Sequence, residues 1–227
     1  PFPDLPHDPF IARLRLHRQD LSLRWFDARR ALVFPDTPRS LLILPPNTPL
    51  APSFTGRLDL RLIERIQVYP DDVDPYFDVF EWHPTTVRSE FLGSVSRTAS
   101  AGGDTLKLPV NVGDAVEFLG YDLELESGAA GEVASLVTFW RVLESFEAAS
   151  DHPLGRVPST AYGHRATIFA HVLDESDRLV AQEDRLDAPA WNWHAGDVLA
   201  QSHRIELPAD AQAGIYSLHV GIYNNNE

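Results

Sequence analysis

The stretch VASLVTFWRVLE, Val133 to Glu144, decides the fold. Successive side chains of an extended chain point to opposite faces. Ala134, Leu136, Thr138, Trp140 and Val142 therefore share one side, and Ser135, Val137, Phe139 and Arg141 the other. Arg141 marks the second side as the one facing water, which assigns the first to a core.

Runs of the same kind recur around it at the spacing of a β-sandwich. They are DAVEFLGYDLEL (Asp114 to Leu125), ATIFAHVLD (Ala166 to Asp174), RLVAQEDR (Arg178 to Arg185), DVLAQSHRIELP (Asp197 to Pro208) and GIYSLHVGIYN (Gly214 to Asn224), with TLKLPV (Thr105 to Val110) as a shorter addition. Asp174, Ser176 and Asp177 in LDESDRL are turn formers and predict a hairpin. In the closing run Tyr216, Leu218, Val220 and Ile222 fall together, opposite Ser217, His219 and Tyr223. Tyr216 follows Pro208 and Gly214, which stop one strand and free the backbone to turn. That is where a tyrosine corner stands as a chain crosses between the sheets of a Greek-key sandwich.

Upstream, LSLRWF (Leu21 to Phe26), ALVF (Ala31 to Phe34), SLLILP (Ser40 to Pro45), LIERIQVY (Leu62 to Tyr69) and YFDVFEW (Tyr76 to Trp82) read as strands separated by Asp- and Pro-rich turns. PFIARLRLHRQD (Pro9 to Asp20) has the spacing of a short amphipathic helix. The segment SVSRTASAGGDT (Ser94 to Thr105) is rich in small residues, has no periodicity and reads as a linker. The expected organisation is a small mixed α/β or mostly β unit over residues 1–95, a linker at 96–104, and an Ig-like or jelly-roll-like antiparallel sandwich over 105–227. The class is mainly β.

Composition excludes several functions. Acidic residues outnumber basic ones 33 to 19, for a formal net charge of −14, so the surface repels phosphate backbones and nucleic acid is not an expected partner. The modestly basic stretch Arg13 to Arg39 is interrupted by Asp20, Asp27 and Asp36. Without cysteine there are no disulfides, thiolate metal sites or cysteine nucleophiles. No apolar run is long enough to span a bilayer, and Asp4, Asp8, Arg13, Arg15 and Arg18 break up any signal-peptide core. Methionine is absent, position 1 included, which suggests a processed product or a piece of something longer.

Chemistry-bearing patterns are sparse. His164, His171, His194, His203 and His219 lie in the second half, but no HxH or HExxH spacing brings them together as a zinc site requires. Asp71, Asp72, Asp74 and Asp78 lack the glycine and glutamate of a calcium loop. Neither GxSxG nor a phosphate-binding glycine loop occurs. No catalytic residue, metal or cofactor is therefore assigned. The aromatic segment DAPAWNWHAGD (Asp187 to Asp197) is the most suggestive. Trp191 and Trp193, with His194 beside them, are the candidate ligand-binding residues, because exposed indoles on a sandwich edge stack on sugar rings. Burial of a tryptophan as a cap on the core is the competing reading.

NVGDAVEFLGYDLE, LVTFWRVL, TIFAHVLDESDRLVAQEDR, WHAGDVLAQSHRIELPAD and AGIYSLHVGIYN together resemble the C-terminal extracytoplasmic sandwich of bacterial glycosyltransferase 39 or dolichyl-phosphate-mannose mannosyltransferase-like membrane proteins. LSLRWFDARRALVFP and DPYFDVFEW resemble the segment preceding that sandwich. Trp193 matches the tryptophan before the Gly-Asp pair, and Trp191 is an addition. The resemblance implies a non-catalytic accessory or structural ectodomain in the cell envelope, joined to a membrane only through a parent segment, with a glycan or an envelope protein as partner. Two other readings stand beside it, a carbohydrate-binding module and a hydrolase built on two convergent carboxylates.

Overall fold

The run Ala31–Phe34 has no polar residue to turn toward water, and the chain buries it on both faces. In a computed structural model, which describes residues 20–45, 48–67, 71, 76–101, 104–128, 131–145, 166–211 and 214–224, this run is β1 (Ala31–Phe34). The strands that follow are β2 (Ser40–Leu44), β3 (Arg61–Gln67), β4 (Tyr76–Trp82), β5 (Thr98–Ala101), β6 (Asp104–Lys107), β7 (Val110–Val112), β8 (Val116–Gly128), β9 (Gly131–Val142), β10 (Ala166–Leu173), β11 (Leu179–Arg185), β12 (Val198–Glu206) and β13 (Ser217–Asn224). The α-helix α1 (Pro84–Ser94) follows β4.

Three layers result. The middle one is a five-stranded sheet in the order β1-β12-β9-β8-β7, antiparallel throughout. Against one face lies the three-stranded sheet β11-β10-β13. Between these two sheets Trp140, Ile168, Leu199, Leu136, Ala170 and Ile205 form a dry interior. Trp140 is 1% exposed, and its indole N–H donates to Thr138 Oγ1 at 3.0 Å, which satisfies the one polar group of a large buried ring. The face expected for Ala134, Leu136, Thr138, Trp140 and Val142 is thus a core face.

The opposite face corrects the sequence expectation. Phe139 is 0% exposed and Val137 is buried beside it. They are covered by α1 and the sheet β2-β4-β3 through a second core of Leu32, Phe34, Phe54, Trp82 and Phe91. Phe91 lies 5.5 Å from Phe34 and 6.1 Å from Phe139, ring centre to centre, in tilted to edge-on contacts. Arg141 sits at the sheet margin and pairs with Glu117 at 2.6 Å, so its charge describes the rim and not the face.

Residues 96–104 are no linker between separate units. Ser96 bridges to Tyr121, β5 pairs with β6, and β1 from the first half is an edge strand of the central sheet. α1 begins at Pro84, where a missing N–H is harmless, and buries Val87 and Phe91, one turn apart. Leu21 to Phe26 is irregular, not a strand. The helix expected over Pro9 to Asp20 lies outside the described residues apart from Asp20.

The hairpin expected at Leu173 to Leu179 is present. Asp174 Oδ1 accepts the backbone N–H groups of Ser176 (2.8 Å) and Arg178 (3.1 Å). Between β12 and β13 the chain passes from the five-stranded to the three-stranded sheet, and Tyr216 packs part-buried against the interior at that crossing.

Candidate functional site

The aromatic segment singled out above joins β11 to β12 through a 3-10 turn at Ala190–Asn192. Trp193 is 2% exposed and packs in the inter-sheet core, its indole N–H donating to the Ala188 carbonyl at 2.7 Å. It caps the core and offers no stacking face. The side chain of Trp191 lies outside what the structure describes. His194 is half-buried, and its backbone N–H donates to Asp197 Oδ2 at 3.3 Å.

Asp197 explains this segment. Only 1% exposed, it accepts a two-pronged pair from Arg24, whose Nη2 is 3.1 Å from Oδ1 and whose Nε bonds Oδ2. It also accepts the Asp36 backbone N–H at 3.3 Å. Asn192 Nδ2 donates to the Trp25 carbonyl at 3.2 Å, and Arg88 reaches both Gly196 O (3.3 Å) and Asp36 (3.2 Å). Trp193, Asn192 and Asp197 therefore clasp the N-terminal residues 24–36 onto the sandwich.

The other sequence candidates do not converge. His171 pairs with Asp184 at 2.9 Å and stands opposite His219 across β10 and β13. Asp78 pairs with Arg65, Asp71 is exposed, and His164, Asp72 and Asp74 lie outside the described residues. Among the described residues no three His, Asp or Glu side chains gather as a metal site requires.

Sequence reasoning missed the larger feature. α1 and its sheet cover only part of the central sheet, and beyond Val137 the uncovered part floors a cleft of about 820 Å³. Its floor is Asp122, Glu124 and Glu126 on β8, Ser135 on β9, and Ser202 and Arg204 on β12. The turns carrying Asp27 to Arg30 and Ala51 to Arg57 wall one side. The signal was present in the alternation of Asp122, Glu124 and Glu126, which sequence alone reads as an ordinary solvated face.

Arg29, Arg30, Arg57, Arg185 and Arg204 line the cleft. So do the carboxylates Asp27, Asp122, Glu124, Glu126 and Asp187, which makes the lining formally neutral in a chain of net charge −14. Most of these charges are matched. Arg29 holds Asp27 at 2.7 Å and Arg57 holds Asp122 at 3.1 Å. Arg185 grips Asp187 and also bonds Glu183 at 2.9 Å, while Arg30 reaches Glu183 at 3.0 Å. Burial alone would raise the Asp27 pKa, but side-chain and backbone hydrogen bonds from Arg29 outweigh it and hold the carboxyl below its ordinary value. The hydrogen bond to Asp187 raises the pKa of the Arg185 guanidinium.

Two buried polar side chains among the cleft residues have no hydrogen-bond partner, one on β12 and one on the turn Ala51 to Arg57. His203 is 0% exposed and neither ring nitrogen is hydrogen-bonded, and Ser53 Oγ is likewise unpaired. Desolvation pushes the His203 pKa down to about 4, so the ring is neutral at pH 7.

No family model matches the chain, and no curated protein matches it. Among solved structures it is similar to the variable domain of the AgI/II polypeptide BspA of Streptococcus agalactiae. The two share 12% identity over 57% of this chain and 89% of that one, with a TM-score of 0.19, too low to carry an argument. Among the described residues no helix is long and apolar enough to cross a membrane.

Proposed function

We propose that this chain is a non-catalytic accessory module of an envelope protein, an extracytoplasmic β-sandwich that works by holding and presenting and not by bond-breaking chemistry. The resemblance to glycosyltransferase 39-like ectodomains suggests the setting. One observation supports the role: most charged side chains of the cleft are held in ion pairs, and two of these pairs, Arg30–Glu183 and Arg57–Asp122, tie the N-terminal half to the sandwich. A general acid or base is held at a pKa near its working pH and faces its substrate. The described imidazole with a displaced pKa, His203, is moved the other way and shut off from solvent.

The carbohydrate-binding reading rested on Trp191 and Trp193; the Trp193 indole is core and supplies no platform, and the Trp191 side chain lies outside what the structure describes. The hydrolase reading is tested directly. Chromogenic glycosides, esters and phosphate esters are incubated with the chain between pH 4 and 9, and release no faster than in buffer is the expected result. Turnover that disappears in Asp122→Asn or Glu126→Gln would sink the proposal.

A further inference from the structure

We infer that the cleft between the turns at Asp27–Arg30 and Ala51–Arg57 and the open part of the central sheet is a binding site for a short neutral saccharide. Its volume, about 820 Å³, falls within the roughly 300–1,000 Å³ of small-molecule sites. Such sites are mostly apolar, whereas this one is lined by guanidinium, carboxylate and hydroxyl groups, with Ala51, Pro52 and Val137 as its apolar residues. An apolar ligand would leave the hydroxyls and the spare donors and acceptors of those groups without partners.

Charge balance narrows the class. With five arginines against five carboxylates, the lining offers a charged ligand no net attraction. At Arg29, Arg57 and Arg185 an anion would have to displace the carboxylates already paired there, and a cation the reverse. Hydroxyl groups need no such exchange. A guanidinium carries five N–H groups and a carboxylate about four lone-pair sites, so an ion pair keeps unused donors and acceptors side by side. A vicinal diol, each hydroxyl of which both donates and accepts, matches that pattern without breaking the pair. Among the described residues no Phe, Tyr or Trp lines the cleft, so recognition is by hydrogen bonds and not by stacking.

Two further observations point to a ligand. Arg204 stands over the floor with only loose contacts, 3.9 Å to Glu126 and 3.7 Å to Glu206. Ser53 Oγ is buried and unpartnered at the same cleft. Buried polar groups are almost always hydrogen-bonded. A serine hydroxyl, which both donates and accepts, complements a ligand hydroxyl.

This goes beyond the accessory role and is separable from it, since a chain that neither binds saccharides nor turns over substrates refutes only the present inference. The test is titration calorimetry of the chain with maltotriose, cellotriose and mannotriose, and with trigalacturonate and fully deacetylated chitotriose as charged counterparts. Binding is expected for at least one neutral trimer, weakened roughly tenfold in Arg204→Ala, which removes two donors' worth of contact or about 1.4 kcal/mol. Binding is expected to vanish in Ser135→Trp, which fills the floor. Both variants replace partly exposed residues, and an unchanged melting temperature verifies their fold. Absence of heat with every neutral trimer, preference for a charged trimer, or affinity indifferent to both substitutions overturns the assignment.

Discussion

Arg24 and Asp197, 173 positions apart, form a two-pronged ion pair in which the carboxylate is sealed from solvent. The pair joins the irregular segment ahead of β1 to the loop that starts β12, so the two halves of the chain are tied at the point where they share a sheet. Burying two charges is costly, and one left alone is costlier still. Asp197→Ala is therefore expected to destabilise the fold by about 3–5 kcal/mol. The double variant Arg24→Met, Asp197→Leu is expected to lose less than the two single losses added together. Urea unfolding of all four proteins measures this coupling.

The second core yields a contrast within one strand face. Phe139→Ala removes a ring enclosed by α1 and β1 and is expected to cost about 3–5 kcal/mol. Arg141→Ala, two residues on, breaks a rim pair with Glu117 and is expected to cost under about 1 kcal/mol. Equal losses would mean that the N-terminal layer does not cover this face.

That contrast shows what alternation conveys and what it leaves out. Period 2 in Val133 to Glu144 separates two faces correctly, and every strand expected after Asp114 is present. Alternation says nothing about what covers the second face, because the covering residues Phe54, Trp82 and Phe91 come from far away in sequence. Arg141 misled because a charge at a strand end can sit on the rim of a buried patch. The legible clue was ALVF, whose lack of alternation is the mark of a strand buried on both sides. α1 was hidden because Val87 and Phe91 are its only large buried apolar side chains. The candidate site was less legible. Trp193 stood out by residue type yet is core, while the cleft gathers ordinary surface residues from β8, β9, β12 and two turns that only the tertiary fold brings together.

Gly120 is a position where no side chain fits. It lies at the bulge of β8 with φ of 155°, and a Cβ there would approach the Ser96 carbonyl oxygen to 2.6 Å. That oxygen accepts the Tyr121 N–H, so it cannot retreat without breaking the bridge that fastens residue 96 to the sheet. Gly120→Ala is expected to destabilise by about 1–3 kcal/mol through strain, with faster amide exchange at Ser96 and Tyr121 than at residues of β10. Protection of those two amides equal to the parent protein's would contradict the bulge geometry.

His203 sets an acid limit on stability. In the unfolded chain its pKa is the ordinary 6.5, and in the folded chain it is about 4, displaced first by desolvation, with Arg185 also lowering it and Glu183 and Asp187 opposing. Between those values the unfolded state binds a proton that the folded state refuses, so stability rises with pH there and falls as pH drops from 6.5 toward 4. The shift corresponds to about 3 kcal/mol lost across that window. Carboxylates titrate at its lower end too, so the informative quantity is a difference. His203→Leu replaces the ring with an apolar side chain and removes two unpaired nitrogens, and its stability at pH 7 is expected to match or exceed that of the parent. Urea midpoints at half-unit steps from pH 7 to 4 should show the variant losing about 3 kcal/mol less than the parent. Parallel curves for the two proteins would mean that His203 takes up its proton in the folded state as readily as in the unfolded one.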